Sequence, residues 1–178
     1  EYVVSEVARI NDLITEFLEF AKPSAPVRAP QLARPLVEDI LGFCKPELES
    51  HTIDAHIDDQ APGATLYADA GQLKQACLNL IINAIDAMPE GGCLTVRISR
   101  EEDYTVIGIA DTGEGIAPDM LERIFTPFVT TKASGTGLGL AKVFSIMDSH
   151  DGRIECISEK DVGATFNLYI PAHGGDET

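Results

Sequence analysis

Positive charge is scarce in this sequence of 178 residues: 13 Lys and Arg stand against 29 Asp and Glu, a formal charge of −16. No run of Lys or Arg interrupts that acidity, so the chain repels phosphodiester backbones and nucleic acid is not an expected partner. Long apolar runs are missing too. Nothing approaches the ~20 residues that span a bilayer, and the opening Glu1-Tyr2-Val3-Val4-Ser5-Glu6 lacks the basic-then-apolar layout of a signal peptide. Cysteine is sparse, and Cys44, Cys77, Cys93 and Cys156 form no CxxC pair, which favours buried reduced thiols over a zinc site or a disulfide framework. These absences give a cytosolic expectation, with membrane anchoring of a longer parent left open. What is present is ordinary globular material, 44% apolar and 24% charged, which excludes disorder and a collagen-like repeat. The length fits one medium domain with a short appendage.

That appendage is expected over residues 1–21. Val3, Val7, Ile10, Ile14, Phe17 and Ala21 recur at the 3.5-residue period of a coiled-coil seam. A linker at 22–30 follows, its three prolines denying helix continuation. The main domain is placed at 31–172, with a tail at 173–178. Leu36, Val37, Ile40, Leu41, Cys44 and Leu48 follow helical spacing, with a kink or early stop expected at Pro46. Short extended segments are read near 53–57 and 65–67, then a long helix over 70–88. Leu94, Val96 and Ile98, then Tyr104, Val106, Gly108 and Ala110, alternate as an antiparallel hairpin. A glycine-rich stretch runs from Asp111 to Gly139, Leu140 to Met147 regain helical spacing, and strands close the chain near 153–158 and 164–170. This order predicts an α+β two-layer sandwich: a mixed, mostly antiparallel sheet with helices on one face, plus the N-terminal coiled-coil helix.

Three segments carry residue types suited to chemistry. On the 70–88 helix, advancing ~100° per residue puts Gln75, Asn83 and Asp86 within roughly 40° of Asn79, opposite Cys77, Leu80, Ile81, Ala84 and Met88. A solvated face usually prefers Glu and Lys to two asparagines, which form helix only moderately well. An amide oxygen is a neutral hard ligand suited to Mg²⁺ alongside substrate phosphates. The segment Asp111-Thr-Gly-Glu-Gly-Ile116 leaves a strand through a carboxylate able to accept from an exocyclic amine, though Asp and Gly also serve as plain turn residues. Gly135-Thr-Gly-Leu-Gly-Leu140 opens a helix, where backbone N–H groups and the helix terminus favour phosphate; in isolation a flexible loop is the competing reading. Lys132 stands just upstream, in contact with phosphate or merely solvated. A dinucleotide-binding fold does not fit, because Thr130-Thr-Lys-Ala-Ser134 is no buried strand.

Taken in order, these segments resemble the catalytic, ATP-binding part of a sensor histidine kinase. The match consists of Asn79-x-x-x-Asn83-Ala84, Asp111-x-Gly113-x-Gly115, the aromatic box Phe125-Thr-Pro-Phe128, Thr130-Thr-Lys132, the glycine box 135–140, and Gly163-Ala-Thr-Phe166 leading to Ile170-Pro171. It covers about residues 31–172, and its wording is most similar to nitrogen-regulation-type kinases. The resemblance implies a Bergerat-type ATP site in which Asn83 holds Mg²⁺ and Asn79 lies beside the metal and phosphates. It also implies that Asp111 receives the adenine amine, Gly113 and Gly115 let the ring approach, and Thr165 sits beneath it. The glycines 135, 137 and 139 wrap the triphosphate, and Thr136, Leu138 and Leu140 belong to the same nucleotide-binding set. Ile116, Phe128, Thr131 and Lys132 complete the expected set, within or beside a mobile lid at 125–138.

Gyrase-type and chaperone-type relatives carry Glu where this chain has Asn79, and an amide cannot serve as base toward water. The family acceptor is a histidine on the first helix of a dimerising hairpin, and His51, His56, His150 and His173 lack its context. The expected function is therefore ATP-dependent phosphorylation of a histidine absent from this chain, with onward transfer to a response-regulator aspartate. Expected partners are ATP or ADP, the protein's own hairpin in a homodimer, and a receiver domain. A Bergerat-fold ATPase and a nucleotide-binding regulatory module without kinase activity are the competing readings.

Overall fold

The computed structural model describes residues 24–132 and 135–174; the expected coiled-coil helix lies outside them. Among the described residues, seven strands and four helices follow in chain order: β1 (Ala29–Leu32), α1 (Ala33–Ser50), β2 (Ile53–Asp59), β3 (Thr65–Ala68), α2 (Ala70–Ala87), β4 (Gly92–Glu101), β5 (Tyr104–Asp111), α3 (Pro118–Leu121), α4 (Gly139–Ser149), β6 (Arg153–Glu159) and β7 (Gly163–Pro171). Five strands form one sheet in the order β2-β4-β5-β7-β6, with β2 parallel to β4 and every other pair antiparallel. The α+β sandwich expected from the element order is the one observed. None of the described helices is long and apolar enough to cross a membrane.

One sheet face is packed beneath α1, α2 and α4. Leu94, Val96 and Ile98 of β4, Ile107 and Ile109 of β5, and Phe166, Leu168 and Ile170 of β7 form this buried layer. Across it lie Val37, Ile40 and Cys44 of α1, Leu73, Leu80 and Ile81 of α2, and Val143 and Met147 of α4. Each large aliphatic side chain so buried contributes on the order of 1.5–3 kcal/mol in transfer terms. The opposite sheet face carries exposed His56, Arg97 and Glu155.

Three local outcomes differ from the expectation. Helix α1 runs through Pro46 to Ser50: Pro46 is exposed, so water can satisfy the carbonyl one turn back, while buried Cys44 and Leu48 hold the helix on either side. Ala29 and Pro30, read as linker, belong to β1, where Pro30 pairs with Tyr67 in a two-stranded ribbon that tolerates a missing donor. In β5 the residues sharing the helix-covered face are Ile107 and Ile109, because Val106 and Gly108 pair across with Ser99 and Arg97 on the other face. This central strand is buried on both sides, which hides its alternation.

Gly42 in α1 is exposed and an added Cβ there meets nothing within 4 Å. Gly42→Ala is expected to raise unfolding free energy by about 0.5–1 kcal/mol, read in a denaturant titration, because alanine loses less backbone freedom on entering a helix.

Candidate functional site

Helix α2 sets the site's orientation. Its N-cap Asp69 accepts from the N–H groups of Gly71 and Gln72 at 3.0 and 3.1 Å, fixing the helix start. Leu73, Ala76, Cys77, Leu80, Ile81 and Ala84 then bury one side, and the period of 3.6 turns Gln75, Asn79, Asn83 and Asp86 outward. All four line a cavity of about 630 Å³, within the range of small-molecule sites.

At one end of that cavity stands Asp111, the last residue of β5. Its Oδ1 accepts from the N–H of Gly113 at 2.9 Å and of Ala164 at 3.3 Å. Among the described residues nothing donates to Oδ2, which leaves one carboxylate oxygen for a ligand. Burial pushes the Asp111 carboxyl above the ordinary aspartate range, with the two N–H donors acting in the opposite direction. Beneath it, the Cys156 thiol is pushed up to about 12 by burial and by the Asp111 charge. Ile116, Met120, Ile124, Ala164 and Phe166 supply an apolar lining around this end, suited to a flat ring.

The other end is polar and cationic. Helix α4 begins at Gly139 with no side-chain cap, so its first N–H groups face ligand or water. The Asn79 amide donates to the Gly139 carbonyl at 3.3 Å, joining α2 to α4. The Lys132 ammonium donates to Asn83 Oδ1 at 3.0 Å and to Asp86 Oδ2 at 2.6 Å. Lys142, from the first turn of α4, lines the same end.

Thirteen of the sixteen expected site residues border this cavity: Asn79, Asn83, Asp111, Gly115, Ile116, Thr131, Lys132, Gly135, Thr136, Gly137, Leu138, Gly139 and Leu140. Gly113, Phe128 and Thr165 do not. Thr165 pairs with Ala110, and strand alternation sends it to the other sheet face from Ala164 and Phe166, which do line the cavity. Gly113 packs on α2: a Cβ there would lie 2.5 Å from the Ala87 carbonyl oxygen, so this close helix contact requires its small size. Phe128 is 63% exposed at φ +66°, with its N–H donating to the Gly137 carbonyl at 3.0 Å. Gly137 has φ +69°, and a Cβ there would lie 2.6 Å from the Phe128 backbone, so this approach of the two boxes requires glycine.

Residues the sequence reading did not assign also border the site. Lys160 and Asp161 reach it from the β6–β7 turn, where the Asp161 N–H donates to the Glu114 carbonyl at 2.7 Å. No local pattern marks them. Lys142 was legible in principle, lying three residues beyond Gly139 at a helix start.

The histidine kinase-, DNA gyrase B-, and HSP90-like ATPase family matches residues 68–174. The sensor histidine kinase ZraS of Escherichia coli K12 is 35% identical over 97% of this chain and 37% of its own length. Among solved structures, the nucleotide-free catalytic domain of histidine kinase ThkA shares 27% identity at a TM-score of 0.75, covering 82% of this chain and 95% of that one. Full-length ShkA in complex with AMPPNP shares 29% at a TM-score of 0.84, covering 97% of this chain and 39% of that one. The chain thus spans well under half the length of the curated relatives it matches. On that match and those identities, the chain belongs to the histidine kinase-, DNA gyrase B- and HSP90-like ATPase family, as an ATP-binding catalytic domain of the sensor histidine kinase kind.

Proposed function

We propose that this cavity binds Mg-ATP for phosphoryl transfer to a histidine imidazole on a dimerisation helix, with onward transfer to a response-regulator aspartate. The observation that carries the reading is the convergence of Asp111, the amide stripe of α2 and the uncapped α4 terminus on one cavity. Asp111 Oδ2 accepts the adenine amine, the apolar lining holds the ring, and the N–H groups at Gly139 and Leu140 receive phosphate oxygens. The full protein acts as a homodimer through its hairpin, whose second helix we place at residues 1–21, and works in the cytosol. The wording of its boxes puts it nearest the nitrogen-regulation-type kinases.

The donor set fits Mg²⁺. Asn83 Oδ1 already faces a cation, the Lys132 ammonium, with Asp86 beside it, and hard oxygen ligands backed by phosphates are what Mg²⁺ takes. Asn83 would hold the ion and Asn79 would stand next to it. When bound, Mg²⁺ neutralises charge on the phosphates, and transfer otherwise demands positioning. Asn79 has no proton-accepting carboxylate to activate water, which favours transfer to a side chain over hydrolysis.

Asn83→Ala is expected to leave metal-free ADP binding nearly unchanged while removing most of the added affinity that Mg²⁺ confers, read by calorimetry with and without the metal. Transfer itself is tested by mixing the domain with a separately made acceptor hairpin of the parent protein. Acid-labile, base-stable phosphate on that hairpin supports the kinase reading. ATP binding without transfer supports the regulatory-module reading, and phosphate released only to water supports the hydrolase.

A further inference from the structure

Six lysines occur in the sequence, and one of them, Lys132, meets the amide oxygen to which the Mg-nucleotide reading assigns the metal. The Lys132 Nζ lies 3.0 Å from Asn83 Oδ1 and 2.6 Å from Asp86 Oδ2. Asn83 and Asp86 are three residues apart on α2 and so share a face. The lysine is aimed there by its own backbone: its N–H donates to Thr130 Oγ1 at 3.1 Å, and its carbonyl accepts from the Gly135 N–H at 3.2 Å.

We infer that the Lys132 ammonium and the divalent metal are alternative occupants of one cation position, and that metal-nucleotide binding expels the ammonium from Asn83 toward the phosphates. The inference rests on the Mg-nucleotide reading of the cavity. An ammonium hydrogen-bonded to Asn83 Oδ1 obstructs a metal that must approach the same oxygen to about 2.1 Å, and the two cations repel. The ammonium is displaceable, because the Lys132 and Asp86 side chains are 39% and 48% exposed, and ion pairs open to water are weak. Asp86 acts as a post that parks the lysine while the cavity lacks metal. Lys132 lines the cavity together with Thr130 and Thr131, so the released ammonium stays beside a nucleotide bound there. In the nucleotide-free protein the same contact ties the 130–132 segment to α2.

The exchange is tested by titrating MgCl₂ into the domain at fixed ADP and reading ADP affinity by calorimetry. In the wild-type domain, half-maximal tightening falls at a definite Mg²⁺ concentration. Lys132→Met removes the competitor and should lower that midpoint about three- to tenfold, while weakening metal-free ADP binding severalfold through loss of a cation beside the phosphates. Lys132→Arg keeps a charged donor and should keep the midpoint within about twofold of wild type. A Lys132→Met midpoint that stays put or rises overturns the exchange while leaving the Mg-nucleotide reading intact. A wild-type affinity indifferent to Mg²⁺ overturns that reading instead.

Discussion

Replacing Asp111 by Asn is expected to weaken ADP and ATP binding ten- to a hundredfold while leaving the domain as stable as wild type, or more so, at neutral pH. The loss corresponds to about 1.5–3 kcal/mol, the worth of a hydrogen bond to a charged group. Asn can keep its carbonyl oxygen toward the Gly113 and Ala164 N–H groups, as Asp111 Oδ1 does now. Its amide then stands where Oδ2 stood and presents a donor to the donating amine of the base. Stability moves the other way because burial raises the Asp111 carboxyl above its ordinary range. A carboxyl whose folded pKa exceeds its unfolded one favours the fold when protonated, and that contribution fades as pH rises through the folded value. At neutral pH the ionised group is therefore a cost that Asn does not bear. Calorimetry and thermal unfolding on the same samples separate the two effects. A variant that binds nucleotide normally would remove Asp111 from the site.

The same shift sets the pH profile. Because the base amine needs the ionised carboxylate, wild-type affinity should decline on acidification at a pH above the usual aspartate range near 3.9, and the Asn variant should lack that step.

Gly163→Ala is expected to cost the domain several kcal/mol of stability, where Gly42→Ala adds to it. Gly163 opens β7 with φ +139°, a conformation that side-chain-bearing residues rarely adopt, and a Cβ there would lie 2.1 Å from the Asp111 carbonyl oxygen. The obstacle is backbone, so it cannot swing aside. Strain of this kind costs ~1–3 kcal/mol, and overpacking adds ~1–3 kcal/mol more. For a domain of this size that is a fall in Tm of roughly 5–20 °C, at about 2–4 °C per kcal/mol. Because the carbonyl belongs to the residue whose carboxylate faces the cavity, nucleotide affinity should fall together with Tm. Gly42→Ala, with open space around its Cβ, is the matched control. A Gly163→Ala domain with unchanged Tm would mean that β7 can shift away from Asp111 at little expense.

The sequence by itself determined the element order and the residues able to carry chemistry. Period 3.6 on α2 separated Leu80 and Ile81 from Asn79 and Asn83, because a helix facing two environments must carry both sets at fixed angles. Helix spacing and turn residues are local properties, so they could be read without neighbours. Tertiary structure alone decided three matters. Pairing with Ala110 set the phase of β7, turning Thr165 away from the cavity and Ala164 into it. Burial of β5 on both faces concealed which of its residues meet the helices. The encounter of Lys132 with Asn83 and Asp86 joins positions 49 and 46 residues apart. Register, depth and long-range contact depend on what packs against a strand or loop, and no window of neighbouring residues contains that information.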